Sequence, residues 1–245
     1  MAVLNAIVSV LLILSFATLV LGMARRVWLY AATPAPLRIP TTPAPRKPLG
    51  AVMRVGREVL LFESLFRADK VLWVTSALFH VGLLLVLLRH LRYFVTPTPQ
   101  LLVFIQPFGK LGALAMMLGL LGLLARRVFL PQARYITRAT DIAVLLLLLA
   151  IGASGLVMTF LIHTDIMGLK LYLAGLWSFD PQPLPEDPAL ALHLLLVAAL
   201  VAVAPFSKLL HMAGVFFSPT RNQCDDARER RHLANWARPF DERRF

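Results

Sequence analysis

Histidines are the residues of this 245-residue chain best able to do chemistry, and four of the six lie in long apolar runs. His80 and His90 bracket "HVGLLLVLLRH", and His193 and His211 bracket "HLLLVAALVAVAPFSKLLH". As helix, ten residues rise about 15 Å and eighteen about 27 Å, so either pair reaches between two depths of a bilayer. At roughly 100° per residue, eighteen steps close five whole turns, which predicts that His193 and His211 share a face. His80 and His90 then lie about 80° apart, within one interior sector.

If the two runs cross the bilayer in opposite directions, His80 matches His211 in depth and His90 matches His193. Depth-matched imidazoles from antiparallel helices can clamp a planar metal macrocycle from its two faces, so two histidines per span suit two stacked haems. Such haems are low-spin electron carriers without an open position for oxygen. The single cysteine, Cys224, excludes CxxCH attachment, zinc pairs, an intrachain disulfide and a self-contained iron–sulfur site, so they would be b-type. Two other readings stay open. Intramembrane histidines also serve as relays in proton or ion transporters, although the polar companions here are few: Thr75, Ser76, Ser154 and Thr159. The four can also be packing residues of a haem-free anchor. His163, beside Thr164 and Asp165, reads as interfacial, and His232 as part of a solvated basic tail.

The elements that carry these residues are read from hydropathy. The chain is 58% hydrophobic and 16% charged, with mean hydropathy +0.73, which places it in a bilayer. Five runs are long enough to cross: 2–23, 71–91, 108–125, 142–162 and 189–213. They show no alternation of period two, so the expected fold class is an all-α membrane protein, a five-helix dihaem bundle. The first run lacks a basic start and a cleavage pattern and reads as an anchor rather than a signal peptide.

The formal net charge of +12 does not point to nucleic acid, because the basic residues cluster between the apolar runs. Of the 25 Lys and Arg, 21 fall in 24–70, in the third-to-fourth loop and from Lys208 onward. The positive-inside rule then puts the N-terminus outside and the C-terminus in the cytoplasm. The first span (1–23) is followed by a cytoplasmic loop (24–70), the four-helix haem-binding region (71–213) and a cytoplasmic tail (214–245). In the loop, 33–48 is proline-rich and extended, while 50–67 has the spacing of an amphipathic helix lying on the membrane or a partner. The tail, with Trp236, Phe240 and Phe245, is solvated or a docking strap. Gly82, Gly112, Gly119, Gly122, Gly152 and Gly155 suit either close helix packing or a cofactor crevice. Arg89 and Arg92 at one end, and Arg134, Arg138 and Lys208 at the other, can pair with haem propionates or anchor the spans.

The stretch "LFHVGLLLVLLRH" followed by "TP", with "RATDIAVLLLLLAIGASGL" and "LHLLLVAALVAVAPFSKLLH", resembles the gamma-subunit-like cytochrome b family of respiratory nitrate reductase. The resemblance covers all five runs. It implies two b haems, His80 and His211 ligating the cytoplasmic-side one and His90 and His193 the outer one. It also implies a quinone/quinol site near the outer haem, with Lys110 at the start of the third run and His90 as its residues. Electrons would pass inward to a cytoplasmic iron–sulfur subunit. Arg89 departs from the family, which has a small residue there. The long proline-rich loop and "FFSPTRNQ" look more like the membrane cytochromes of sulfite-reduction-associated DsrMKJOP-type complexes. That likeness implies a heterodisulfide-reductase-like partner, further membrane and periplasmic redox subunits, a role in dissimilatory sulfur metabolism and a bacterial inner-membrane location.

Overall fold

The computed structural model describes residues 2–33, 43–180, 182–226 and 233. Residues 34–42 of the proline-rich segment, and His232, Trp236, Phe240 and Phe245 of the tail, lie outside the described residues. Among the described residues there are helices and no strands. Five helices are long and apolar enough to cross a membrane, as the five runs predict.

The chain divides into two compact units. The first comprises Met1–Ala24 and Leu65–Leu210. It holds most of α1 (Ala2–Ala32) and all of α4 (Lys70–His90), α5 (Gln100–Phe129), α7 (Ala139–Val157) and α9 (Pro188–Val203). Its centre is the antiparallel pair α4–α5, seated on a seam of glycines. A Cβ on Gly119 would stand 2.5 Å from the Phe79 nitrogen, and one on Gly112 would stand 2.6 Å from Leu85 Cβ. Gly82 and Gly122 are equally tight, so these four glycines serve helix packing rather than a cofactor crevice. Phe79, Met116, Leu120, Leu145 and Leu148 continue that contact into α7.

Ion pairs close one end of this unit. Asp69 caps α4 by accepting from the Leu72 N–H at 2.9 Å, and its other oxygen accepts from Arg126 of α5 at 3.1 Å. Asp141, 8% exposed, accepts from Lys208 at 2.5 Å and from the Arg138 N–H at 3.1 Å. Arg127 stands 3.8 Å from the same carboxylate.

Several boundaries differ from the hydropathy reading. The first helix continues nine residues past Met23, and α5 begins eight residues before Phe108. An unexpected apolar helix, α8 (Ile166–Ser178), fills what reads as an outer loop. It begins at Asp165, whose side chain accepts from the Met167 and Gly168 N–H groups, and at about 1.5 Å per residue it is too short to span. It packs on α1 through Ser9 and Tyr172, whose hydroxyls are 2.9 Å apart, and through Phe16 on Trp177.

The fifth helix does not run through to 213. It ends at Val203, passes into a 3-10 turn at Ala204–Phe206, reaches an extended Ser207 and re-forms as the 3-10 turn Lys208–Leu210. Pro205 has no N–H to continue the ladder and restricts the residue before it. The five-whole-turns argument for His193 and His211 therefore does not hold.

The second unit comprises Arg25–Ser64 and His211–Phe245. In it α2 (Pro48–Leu61) is the amphipathic helix read from 50–67, cut short where Phe62 turns left-handed at φ 50°. The short α3 (Glu63–Ala68) follows it in the chain. Glu58 of α2 pairs with Arg221.

Candidate functional site

α4 and α9 bring His90 and His193 together with ring centres 6.4 Å apart and planes 15° from parallel. His193 is buried. Each ring commits its Nδ1. That of His90 lies 2.7 Å from the Val86 carbonyl, four residues back in the same helix. That of His193 lies 2.8 Å from Ser154 Oγ on α7. A carbonyl only accepts, so His90 Nδ1 is a donor; the Ser154 hydroxyl, with the Ile151 carbonyl at 2.9 Å to take its proton, can accept from His193 Nδ1 in the same way. The Nε2 lone pair of each imidazole is left for a metal.

His90 and His193 would fit a haem iron, each offering its Nε2 lone pair. An imidazole nitrogen bonds a transition metal at about 2 Å and its ring centre lies roughly 1.1 Å behind, so two axial imidazoles are centred roughly 6.3 Å apart. The observed separation meets that requirement. Arg92, two residues beyond His90, supplies a second sign of fit. One of its terminal nitrogens donates to Gln106 Oε1 at 2.9 Å and the other to the Tyr93 hydroxyl at 3.2 Å. Its Nε is buried with no hydrogen-bond partner, as befits a group awaiting a carboxylate.

His80 holds its ring as His90 does, with Nδ1 2.8 Å from the Ser76 carbonyl. Its expected partner, His211, is exposed and begins the short helix α10 (His211–Gly214). His80 belongs to the first unit and His211 to the second.

The other expected residues scatter. Arg89 lies across Gly109 and donates to the Gln106 carbonyl at 2.8 Å; an arginine fits there because residue 109 has no side chain. Lys208 is engaged by Asp141. Arg134 is exposed on α6 (Pro131–Tyr135). Lys110 lies ten residues into α5 rather than at a span's start, exposed, with its ammonium 5.9 Å from the centre of the Phe160 ring. Phe160 belongs to a π-helical turn, Met158–Ile162, that ends the fourth span; such turns recur at functional sites. His90 keeps no ring N–H for a quinone carbonyl.

Three participants carry no clear signal in the sequence. Ser154 and Gln106 are isolated polar residues in apolar runs, and Asp141 is the acidic residue of "RATDIAV". The Asp141–Lys208 pair joins that motif to "PFSK", part of another of the three stretches on which the resemblance rests.

A family model described as nitrate reductase gamma subunit matches residues 50–224. The chain is 35% identical over 269 aligned residues to a protein of Archaeoglobus fulgidus described as Hdr-like menaquinol oxidoreductase cytochrome b-like subunit, covering 91% of this chain and 81% of that one. A protein of the same description from Archaeoglobus profundus is 33% identical, over 90% of this chain and 80% of its own. With five candidate spans and a match that runs from α2 to beyond α11 (Pro219–Asn222), this multi-pass membrane protein belongs to the nitrate reductase gamma subunit family.

Proposed function

We propose that the chain is the dihaem cytochrome b subunit of a menaquinol-oxidising complex. It exchanges electrons between quinol near the outer face of the cytoplasmic membrane and a cytoplasmic, heterodisulfide-reductase-like iron–sulfur subunit. The observation that carries the reading is the His90–His193 pair, two imidazoles at axial-ligand separation with both Nδ1 atoms already committed. His80 and His211 would hold the second haem, on the cytoplasmic side, with the N-terminus outside. When bound, a b haem supplies one-electron transfer with no open coordination position.

The chain's own residues then divide the work. Arg92 Nε is free to hold a propionate on the outer side. Lys110, whose ammonium lies 5.9 Å from the Phe160 ring at the π-turn, would donate to a quinone carbonyl and hold positive charge where quinol releases protons. The Arg- and Lys-rich cytoplasmic segments offer a cationic surface to an acidic partner. The relatives' description favours menaquinol, and the likeness to DsrMKJOP-type cytochromes favours dissimilatory sulfur metabolism in a bacterial inner membrane. The transporter reading loses ground, because Thr75 and Ser154 commit their hydroxyl protons to carbonyls of their own helices.

A pyridine haemochrome assay and reduced-minus-oxidised spectra, on the full chain in native membranes, test the reading. Two b haems per chain are expected, with His90→Ala and His193→Ala each removing the same one. Membranes rich in the protein but without b-type bands would overturn it.

A further inference from the structure

We infer that Ser154 is a positioning residue for His193 and, through it, sets the redox potential of one of the two metal centres. The inference rests on the reading of His90 and His193 as axial ligands and goes beyond it. His80 and His90 are held alike, each with its Nδ1 on the carbonyl four residues back on α4. His193 is held across helices instead, by α7, where the Ser154 hydroxyl lies 2.8 Å from its Nδ1 beside the Ile151 carbonyl.

The geometry lets that hydroxyl act as an acceptor for the ring. With its proton on the Ile151 carbonyl, 2.9 Å away, its lone pair meets His193 Nδ1–H and holds the tautomer with Nε2 unprotonated. Donation to a carbonyl polarises the oxygen and makes it a better acceptor. The next residue completes the seat, since a Cβ at Gly155 would stand 3.5 Å from His193 Cε1. An acceptor at Nδ1 increases the basicity of the ring, and a more basic ligand favours the oxidised metal. Loss of the hydroxyl therefore moves the potential upward and frees the ring to leave its near-parallel alignment with His90.

The test is potentiometric titration of the b-type bands in membranes carrying the full chain, with haem counted in each variant. Ser154→Ala and Ser154→Cys remove the oxygen, the second while keeping a similar volume; Ser154→Thr keeps the hydroxyl and adds a methyl. The expected result is an upward shift of one centre in the Ala and Cys variants, the other unmoved and Thr near wild type. Loss of one haem in Ala and Cys, restored by Thr, supports the same role. Unchanged potentials in Ala, or a shift in Thr but not in Cys, would overturn it, the latter by showing that volume matters rather than the hydroxyl. A wild-type chain with no b haem would instead sink the cytochrome reading itself.

Discussion

Gly82→Ala probes the α4–α5 seam that carries His80 and His90. The added Cβ would stand 2.5 Å from the Gly112 carbonyl oxygen, 2.6 Å from the Met116 nitrogen and 2.9 Å from Met116 Cα. All three are backbone atoms, so no rotamer change relieves the clash. Ordinary contact begins near 3.4 Å, so the helices must part locally by about 0.9 Å, enough to forfeit a quarter to half of the dispersion energy of the contacts alongside. Overpacking of this kind costs about 1–3 kcal/mol. The comparison is Gly56→Ala on α2, where a Cβ meets nothing within 4 Å and the lower chain entropy of alanine should stabilise by roughly 0.5–1 kcal/mol. Thermal unfolding of the two variants in detergent, followed by helical circular dichroism, measures the difference. Gly82→Ala should melt well below wild type and Gly56→Ala at or above it. Equal melting of the two would refute backbone-on-backbone packing at the seam, and with it the placement of both α4 histidines.

Two further outcomes follow from the described geometry. Lys110→Ala should leave the haem count unchanged and lower quinol oxidation at least about tenfold, the equivalent of losing a charge-assisted hydrogen bond worth roughly 1.5–3 kcal/mol; stopped-flow haem reduction by quinol measures it, and unchanged rates would remove Lys110 from the quinone site. The Leu72 N–H, together with Arg126, holds the Asp69 carboxyl below the usual carboxylate range. A depressed value means that the stabilisation is present above the ordinary carboxylate value of about 4 and is lost as pH falls below it. Melting temperature recorded between pH 7 and 3 should therefore show a decline at the acid end that is smaller in Asp69→Asn, and identical profiles would exclude this link.

One pair of the candidate site was legible because helix rise is nearly constant. The ten-residue spacing of His80 and His90, and antiparallel spans, were enough to pair His90 with His193, and those two rings lie 6.4 Å apart. Hydropathy located all five spans because a bilayer demands about 20 apolar helical residues. The resemblance motifs anticipated the family, and the structure adds an ion pair between two of them, Asp141 to Lys208.

Rotation about a helix axis is a different matter. Each span is apolar nearly all round, so no stripe in the sequence tells which face meets a neighbour. The contact is decided where backbones can approach, at Gly82, Gly112, Gly119 and Gly122, and that depends on both helices at once. The break of the fifth span at Pro205 and Ser207 also belongs to tertiary structure, because proline permits either a kink or an end and the pair of Lys208 with Asp141 stands beside the outcome. So does α8, whose 13 residues are too few to read as a span and become a helix packed on α1. Sequence by itself determined how far apart the candidate histidines lie along each helix, through a fixed rise per residue. Only tertiary structure decided its azimuth: which ring faces which, and that a hydroxyl from α7 holds His193.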